Sequence, residues 1–562
     1  MTWMNSFTAQ LKMPIGISDF ETIRKRNAYY VDKSSLISEL INSMSAVTLF
    51  TRPRRFGKTL TMSMLESFFN IEKNSKNLFD GLEISKNEAL CAAWMNEYPV
   101  ISLTFKEIEG LDFETAYEYL KEVLADLFSQ YPFLIDEAST AENDKELFYN
   151  LQNCSATKAG VKKSLKLLVK LLFNYYGKPV ILLLDEYDVP LAKAADNGYY
   201  KEMLDIMRGI LQVLKDNNNL AFAVITGCLR ISKESIFTGT NNFKINTITS
   251  KRFNEYFGFT EREVKELLQD INASSQYDKV KEWYDGYNFG GVEIYCPWDV
   301  INYADDFINE DKVEPSCYWN NTSGNTIIRS FIDRFSNEIR DDFEVLLKGG
   351  QIQKTIKEDL TYDLLHSSEE NFWSVLYLTG YLTMVKESKF ISKEITLKIP
   401  NKEIREIFND TIKEWFTTTV GNMNRNKLFQ AIWNADVATI TEQMTKILVR
   451  TISYYDYRED FYHAFLVGIF TGAGYSVKSN RENGEGRSDV VIKDNNNMRV
   501  AIFEVKYSEK KADLEKDCDR ALDQIRDRQY FVEFEDEYEE VILLWNIFLE
   551  KTLSGKKISR NL

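Results

Sequence analysis

The chain has 562 residues, of which 44% are hydrophobic and 27% charged, a composition typical of globular proteins. Its length predicts about three to four domains. No apolar run approaches the roughly 18 residues of a membrane-spanning helix, and the first residues lack the layout of a signal peptide. We therefore expect a cytoplasmic protein that does not contact a membrane. Six scattered cysteines without a CxxC pair, and only two histidines, argue against disulfides and structural zinc.

The N-terminal half alternates short apolar runs with amphipathic stretches, as in a parallel sheet with helices on both faces. The runs that are apolar enough to be strands buried on both faces are residues 46–50, 100–105, 179–184 and 220–226. Helices are predicted between them, including residues 113–128 and 161–175. This alternation predicts an α/β P-loop domain over residues 1–260.

The stretch TRPRRFGKTLT, residues 51–61, directly follows the first predicted strand and opens a predicted helix. A phosphate-binding loop requires this context, because N–H groups at a helix N-terminus can cradle phosphates. The lysine would reach the terminal phosphates, and the following hydroxyl would ligate Mg²⁺. The candidates for nucleotide contact here are Arg55, Phe56, Gly57, Lys58 and Thr59.

This loop departs from the GxxxxGK[ST] pattern, because Arg52 occupies the first glycine position. Arg54 and Arg55 could add positive charge to the loop, although the sequence does not give their direction. The alternative is that GKT is only a chance helix start.

The next motif, VILLLDEYD, is an apolar strand that ends in two carboxylates. Asp185 would hold magnesium and Glu186 would polarise the attacking water. The following strand ends at Thr226, a position where a polar residue can sense the terminal phosphate, and Arg230 lies close behind it. The alternatives are a solvated strand end at DEYD and an ordinary surface arginine. Together the motifs predict ATP and Mg²⁺ as ligands.

A turn-rich stretch at residues 285–297 interrupts the alternation of strands and helices. It lies in a second predicted domain, residues 261–400, and the part of this domain that follows the stretch is predicted to be mainly helical. Residues 372–381, followed by LTMVKES and EITLKIP, are interpreted as a helix and a two-stranded wing. A winged-helix fold is therefore one interpretation of this region.

The third predicted domain, residues 401–562, contains RSDVVIKDNNNMRVAIFEVK, which predicts a strand, a polar turn and a strand. Glu504 and Lys506 lie two apart on the second strand and so share a face, and pairing across the hairpin can bring Asp489 beside them. Two carboxylates, Asp489 and Glu504, with a lysine suit a magnesium or manganese site for a nuclease. A solvated hairpin with incidental acids is the alternative.

Other residues could complete this site. Glu459 lies on an amphipathic segment, where His463 should share its face, and Gln524 and Tyr530 follow on a predicted helix. The net charge of −16 opposes binding to nucleic acid, because the affinity of a protein for nucleic acid depends largely on Lys and Arg. Any contact with nucleic acid must therefore use a local basic patch. The basic residues that could form it are Lys478, Arg481, Arg487, Arg520, Arg526 and Arg528.

The chain resembles bacterial AAA-ATPase-like proteins that carry a C-terminal PD-(D/E)XK nuclease-superfamily domain. The segments that carry the resemblance include RPRRFGKTL, LLLDEYDVPL, WYDGYNFG, YWNNTSGN, SNRENGEGRSD and FEVK. In that family an arginine at the position of Arg52 is usual. The resemblance implies ATP binding through Lys58, Thr59, Asp185 and Glu186. It also implies a nuclease site at Glu459, Asp489, Glu504 and Lys506. The sequence gives no role for Asp32, Lys33 or the DGY and TSGN segments beyond a turn or an interdomain contact.

Three functions remain open at this point. ATP could license the C-terminal domain to cut DNA or RNA, as would suit a defence or mobile-element protein. The chain could instead be a nucleotide switch of the STAND type that senses a partner and binds nucleic acid without cutting it. It could also be a non-enzymatic scaffold. The number of subunits, including a homo-oligomer, stays open too.

Overall fold

The computed structural model describes residues 11–136, 140–231, 243–310, 313–319, 337–362, 365, 367–385, 394–421, 426–436, 438–444, 470, 476–483, 486–507, 534, 537–549 and 552–559. The chain forms two compact units, the first containing Met1–Asn321 and Gln353–Ile404 and the second Thr322–Ile352 and Arg405–Leu562. A compact unit can contain more than one domain, so the domain boundaries at residues 260 and 400 stay predictions.

A parallel five-stranded sheet forms the centre of the first unit. The first strands of the chain are β1 (Val47–Thr51), β2 (Val100–Thr104), β3 (Val180–Asp185), β4 (Leu220–Gly227), β5 (Arg230–Ile231) and β6 (Phe243–Asn246). The sheet order is β2-β3-β4-β1-β6, with every neighbouring pair parallel. The predicted α/β sheet is therefore confirmed, and β4 is inserted between β1 and β3.

Nine helices precede or connect the strands of this region within the described residues. They are α1 (Phe20–Lys25), α2 (Ser35–Asn42), α3 (Lys58–Phe69), α4 (Glu88–Trp94), α5 (Phe113–Ser129), α6 (Glu142–Gln152), α7 (Lys158–Tyr176), α8 (Val189–Asn197) and α9 (Tyr200–Ile210). The apolar stripes of α5 and α7 pack on the sheet through fully buried residues such as Leu120 and Leu168. The Thr157 hydroxyl caps the start of α7, and Gly177, with φ of +61°, ends it.

A second cluster of the first unit follows in the chain. Its elements are β7 (Phe259–Thr260), α10 (Glu261–Asp270), α11 (Tyr277–Tyr284), β8 (Tyr287–Phe289), β9 (Val292–Tyr295) and α12 (Pro297–Asn309). A capping box between Thr260 and Glu263 starts α10. The predicted turn-rich stretch contains an antiparallel hairpin of β8 and β9, whose connection, Gly290 and Gly291, has positive φ at both positions.

The remaining elements lie on both sides of the boundary between the units. They are α13 (Asn337–Leu347), β10 (Ile352–Thr355), β11 (Asp359–Leu360), α14 (Glu369–Leu378), β12 (Thr383–Met384), β13 (Glu394–Lys398), α15 (Lys402–Gly421) and α16 (Asn426–Trp433). The helix and two-stranded wing predicted from the sequence correspond to α14 and the antiparallel pair β12 and β13. The mainly helical prediction missed β10, which joins this pair in a three-stranded sheet.

The second unit contains a mixed sheet in the order β14-β15-β16-β17-β18. Its strands are β14 (Ser476–Asn483), β15 (Gly486–Asp494), β16 (Arg499–Tyr507), β17 (Glu540–Leu549) and β18 (Thr552–Ser559). Only the pair β16 and β17 is parallel. Within the described ranges, no helix is both long and apolar enough to cross a membrane.

Candidate nucleotide site and C-terminal hairpin

The loop between β1 and α3 has the backbone form of a phosphate-binding loop. β1 ends at Thr51, on the carboxyl edge of the sheet, and α3 begins at Lys58. Gly57 precedes the helix with φ of +81°, a conformation that residues with a Cβ atom rarely adopt. The first N–H groups of a helix have no partner within it, so they can bind an anion here. The predicted strand, loop and helix are confirmed.

The Lys58 ammonium group lies inside this loop. The side chain is only 3% exposed, and Nζ lies 3.2 and 3.0 Å from the carbonyl oxygens of Arg52 and Pro53. The Glu186 carboxylate is 3.4 Å away. Burial alone would lower the pKa of Lys58, but the neighbouring Cys228 and Glu186 groups raise it above its ordinary value. The ammonium group is therefore charged at neutral pH.

Asp185 is the carboxylate on which the predicted site residues converge. One of its oxygens accepts a hydrogen bond from Thr59 Oγ1 at 2.8 Å, and the other accepts one from the Thr226 hydroxyl. Burial raises the pKa of Asp185, although these two hydrogen bonds oppose the shift. A hydroxyl and a carboxylate are oxygen ligands of the kind that Mg²⁺ prefers. Thr59 and Asp185 therefore fit a magnesium ion that accompanies a bound nucleotide.

Glu186 has a strained backbone at the end of β3. Its φ is +53°, in the left-handed region, which costs a residue with a side chain on the order of 1 kcal/mol. Its N–H donates to Thr226 Oγ1 at 3.4 Å, and its carboxylate is paired with Lys58. This conformation holds a carboxylate beside the phosphate loop.

Arg52, which replaces the first glycine of the usual loop pattern, is a structural residue. Its side chain is fully buried. Nη1 donates to the carbonyl oxygens of the preceding residue and of Asn246, at 2.8 and 2.9 Å. Nη2 donates to the carbonyl oxygen of Phe253 at 3.1 Å, and the guanidinium lies 5.1 Å from the Phe257 ring centroid. Arg52 therefore fixes the base of the loop to β6 and to residues 253–257.

The next loop residues also make contacts within the protein. Arg55 Nη1 donates to the Tyr318 carbonyl oxygen at 2.8 Å, and its guanidinium lies 4.7 Å from the Trp298 ring centroid. The fully buried Phe56 ring packs on Tyr287, with the ring centroids 4.9 Å apart. Tyr287 belongs to the DGY segment, so part of that motif supports the loop. The predicted contact of Phe56 with a nucleotide would have to use its backbone.

Arg230 forms an ion pair with Asp359 at 2.7 Å, on neighbouring strands β5 and β11. Asp188, the second aspartate of DEYD, accepts hydrogen bonds from the N–H groups that follow β4 and from Tyr362 Oη at 2.8 Å. The ends of β3 and β4 are thus tied to residues 359–362. Contact of Arg230 with a phosphate stays a prediction.

The Asp32 and Lys33 pair has a structural account that the sequence did not reveal. Lys33 Nζ contacts both oxygens of Glu263 at 2.7 Å and the carbonyl oxygen of Glu255 at 2.6 Å. Asp32 accepts hydrogen bonds from the N–H groups of Ser34 and Glu83. These bonds join the start of α2 to α10 and to the chain before α4.

A cleft of about 360 Å³ opens beside the phosphate loop. Lys58, Thr59 and Glu186 line one part of it, together with Lys106. Residues 14–18 and the start of α12 line another part. The cleft therefore combines polar groups suited to phosphates with a largely apolar surface.

The C-terminal hairpin forms as predicted, with β15 and β16 joined by residues 495–498. In this antiparallel pair Val490 lies opposite Phe503, so one further step in the same register brings the backbone of Asp489 opposite that of Glu504. Asp494 accepts from Arg499 Nε at 2.9 Å and closes the turn. The assignment of Asp489, Glu504 and Lys506 to a metal site stays a prediction.

Four predicted residues of the nuclease site or its surroundings, Glu459, His463, Gln524 and Tyr530, lie outside the described residues, as does the TSGN segment. Three of the predicted basic residues, Arg520, Arg526 and Arg528, also lie outside them. Among the residues that the structure describes, no group of three His, Cys, Asp or Glu side chains is placed to hold a metal ion.

Comparison with known families agrees with this architecture. Residues 14–237 match the family model described as "Predicted AAA-ATPase", and residues 457–557 match that of the PD-(D/E)XK nuclease superfamily. The chain thus combines an AAA-ATPase-like domain with a C-terminal domain of the PD-(D/E)XK nuclease superfamily, as the sequence motifs indicated.

Two individual matches were found, one to a protein sequence and one to a solved structure. One, from Azotobacter chroococcum mcd 1, is described as "Uncharacterized protein in vnfD 5'region" and is 24% identical over 550 residues, 95% of each chain. The other is the crystal structure of a STAND protein, a signal transduction ATPase with numerous domains, with a tetratricopeptide repeat sensor from Pyrococcus horikoshii. It is 10% identical with a TM-score of 0.25, and the match covers 79% of this chain and 57% of that one.

Proposed function

We propose that the first unit binds and hydrolyses ATP at the carboxyl edge of its parallel sheet. The observation that carries this proposal is the convergence of Thr59 and Thr226 on the Asp185 carboxylate, with Lys58 and Glu186 3.4 Å apart beside them. These residues come from β3, β4 and α3, and each supplies a group that phosphoryl transfer from ATP to water requires.

Each residue has a separate role in this reaction. Lys58 and the N–H groups at the start of α3 bind the phosphates. Thr59 and Asp185 would hold a magnesium ion, which when bound would neutralise charge on the phosphate oxygens. Glu186 accepts a proton from the attacking water, and Thr226 fixes the Glu186 backbone through its hydroxyl. Because Lys58 pairs with Glu186 here, bound phosphate would compete for the lysine and release the carboxylate.

For the C-terminal domain we propose metal-dependent cleavage of DNA or RNA, licensed by ATP, in defence or mobile-element biology. Support comes from the match to the PD-(D/E)XK nuclease superfamily and from the antiparallel register of β15 and β16. In this register Val490, the neighbour of Asp489, pairs with Phe503, the neighbour of Glu504. Two acidic residues on adjacent strands are a suitable basis for a Mg²⁺ or Mn²⁺ site. The local basic patch would bind the phosphate backbone.

A nucleotide switch that binds nucleic acid without cutting it is the second candidate. The contacts of Asp188 with Tyr362 and of Arg230 with Asp359 favour it, because they connect the nucleotide edge to a distant part of the chain. A change around Glu186 on nucleotide binding could pass along these contacts to residues 359–362.

The experiment that separates the two candidates is a cleavage assay on plasmid, linear duplex, single-stranded DNA and RNA. It uses Mg²⁺ or Mn²⁺, with and without ATP, and compares the wild type with Asp489→Ala. Cleavage that the substitution removes and ATP stimulates supports the licensed nuclease. ATP binding without cleavage of any substrate supports the switch.

A further inference from the structure

The chain that follows β2 forms an anchored turn at the carboxyl edge of the parallel sheet. β2 ends at Thr104, and the Thr104 hydroxyl accepts the Lys106 N–H at 3.3 Å. The Ile108 N–H donates to the Phe105 carbonyl oxygen at 3.2 Å, and the side chains of both residues are fully buried. Lys106 and Glu107, the two residues between them, are exposed. The turn therefore presents these two residues on a fixed backbone.

The segment after this turn is also tied to the rest of the first unit. Glu109 forms an ion pair with Lys193 of α8 at 2.6 Å. The Gly110 carbonyl oxygen accepts a hydrogen bond from Tyr199 Oη at 2.8 Å, just before α9. The backbone at Lys106 is thus held from both sides, so only its side chain would have to move when a nucleotide binds.

The strand register places Lys106 beside Glu186. In the parallel pair of β2 and β3, Thr104 lies opposite Asp185, and the Phe105 N–H donates to the Asp185 carbonyl oxygen at 3.0 Å. Lys106 and Glu186 are the residues that directly follow these two bonded positions, and both line the cleft. Lys106 therefore lies at the end of the cleft where Glu186 would accept a proton from the attacking water.

Lys106 is also the uncommitted cation of the cleft. Four cationic residues line the cleft within the described part of the chain. Three of them, Lys33, Arg55 and Lys58, are engaged by oxygen atoms of the protein. The Lys106 ammonium group has no hydrogen bond or ion pair with any described residue. A cation that the protein has not already neutralised can stabilise the negative charge that develops on a transferring phosphoryl group.

We infer that Lys106 is a catalytic cation of ATP hydrolysis, supplied by the same chain, and that it contacts the terminal phosphoryl group during the reaction. This inference rests on the proposed ATPase function and adds to it a residue from the edge strand of the sheet. The site then needs no cation from a second subunit.

The role of Lys106 is electrostatic. The water oxygen forms a bond to the γ-phosphorus, and a water proton passes to Glu186. The bond from this phosphorus to the bridging oxygen breaks, and its electron pair leaves with ADP. Lys106 stays protonated throughout, and its charge offsets the charge on the transferring oxygens. ADP and inorganic phosphate are released, and Glu186 returns its proton to solvent.

The test separates hydrolysis from binding in the full-length chain, with phosphate release for the turnover number and calorimetry for the affinity for magnesium ATP. In Lys106→Ala the turnover number should fall by about 100-fold. Its ATP affinity should stay within about threefold of the wild type, because the contact is made in the transition state. Lys106→Arg, which keeps the charge, should retain most of the activity. Glu107→Ala is the matched control, because Glu107 is exposed on the same turn but does not line the cleft.

Three results would overturn the inference. They are turnover at the wild-type rate by Lys106→Ala, an equal loss in Glu107→Ala, and a loss of ATP affinity as large as the loss of turnover. If Glu186→Gln abolishes hydrolysis and Lys106→Ala does not, the proposed ATPase function stands without Lys106. Absence of ATP hydrolysis by the wild type would instead reject the proposed function and this inference with it.

A mixing experiment tests whether the lysine acts within its own chain. Lys106→Ala and Glu186→Gln are mixed, and phosphate release is compared with the sum of the two separate proteins. A lysine that serves its own chain predicts no gain on mixing, because neither variant contains a complete site. A gain would show that Lys106 serves the site of a neighbouring subunit and would contradict the same-chain assignment.

Discussion

The two five-stranded sheets place their candidate site residues by different rules. In the first unit all strands are parallel, so the carboxyl ends of β1, β3 and β4 meet at one edge and bring Thr59, Asp185 and Thr226 together. In the second unit β15 and β16 are antiparallel and pair Val490 with Phe503, so the proposed pairing of Asp489 with Glu504 depends on the register of the hairpin. A parallel sheet therefore makes a site from strand ends, whereas the mixed sheet depends on pairing within the strands.

The prediction with the largest expected effect tests the site at the carboxyl edge of the parallel sheet. Glu186→Gln keeps the size of the side chain but removes the base, so ATP hydrolysis should fall by about 10³-fold while ATP binding is retained. Phosphate release measures the first quantity and calorimetry the second. The matched control is Glu83→Gln, an exposed glutamate of the same unit that pairs with Lys86, which should hydrolyse ATP normally. Normal hydrolysis by Glu186→Gln would exclude this residue as the base.

The second prediction tests the hairpin register. Asp489→Ala removes a proposed metal ligand, so cleavage of the preferred nucleic acid should fall by at least about 100-fold. ATP binding should not change, because the phosphate loop belongs to the other unit. Asp494→Asn is the folding control on the same strand, since it weakens the turn contact with Arg499 but lies at the other end of β15 from Asp489. Equal loss in both variants would mean that the hairpin folds poorly, not that Asp489 binds metal.

The third prediction tests whether Arg52 of the phosphate loop stabilises the fold. Arg52→Leu leaves the carbonyl groups of Asn246 and Phe253 without their buried donor, so we expect the free energy of unfolding to fall by about 3 kcal/mol. Denaturant titration without nucleotide measures it. Leu111→Ala, at a position of the same unit that is 86% exposed, should change it by less than about 0.5 kcal/mol. Comparable losses would contradict the structural role of Arg52.

The smallest effect concerns an acid pair in the first unit that is not part of the proposed site. Asp299 and Glu403 are fully buried and close enough to shift each other's pKa, and Glu403 accepts a hydrogen bond from the Trp319 N–H at 2.8 Å. Burial and the Asp299 charge raise the pKa of Glu403 above its ordinary value of 4.5. The free energy of unfolding of the wild type therefore falls as the pH rises above 4.5, because the unfolded chain releases the Glu403 proton there and the folded chain retains it.

Glu403→Gln removes this titration while keeping a donor for Asp299. Its unfolding free energy should match that of the wild type near pH 5 within error and exceed it by about 1 kcal/mol at pH 8. Melting curves at both pH values measure the difference. A difference that is the same at pH 5 and pH 8 would show that the pair holds no proton that titrates on unfolding.

The sequence predicts β1 to β4 within one or two residues, because runs such as VILLLD are too apolar to be anything but buried. It also predicts the positions of Lys58, Thr59 and Asp185, because Asp185 ends an apolar strand and the other two residues open a helix. The role of Arg52 was not predictable, because its acceptors Asn246 and Phe253 lie 194 and 201 residues away along the chain. Lys33 was missed for the same reason, since Glu263 is 230 residues away.

The turn at residues 14–18, in which the Ile17 N–H donates to the Pro14 carbonyl oxygen, could have been predicted, because proline followed two residues later by glycine is a turn signal. The place of this turn in the cleft could not have been predicted, since other residues that line the cleft, such as Trp298, lie far away along the chain. Local motifs therefore predict the residues at the phosphate end of the cleft. The other residues that line the cleft are brought together by long-range contacts that local motifs do not reveal.

The most direct test of the parallel-edge site is a calorimetric titration of magnesium ATP into the wild type and Lys58→Met, which keeps the buried volume but removes the charge. The account predicts saturable binding to the wild type and at least about 100-fold weaker binding to the variant. Equal affinity of the two proteins would show that ATP does not bind at this loop and would contradict the proposed function.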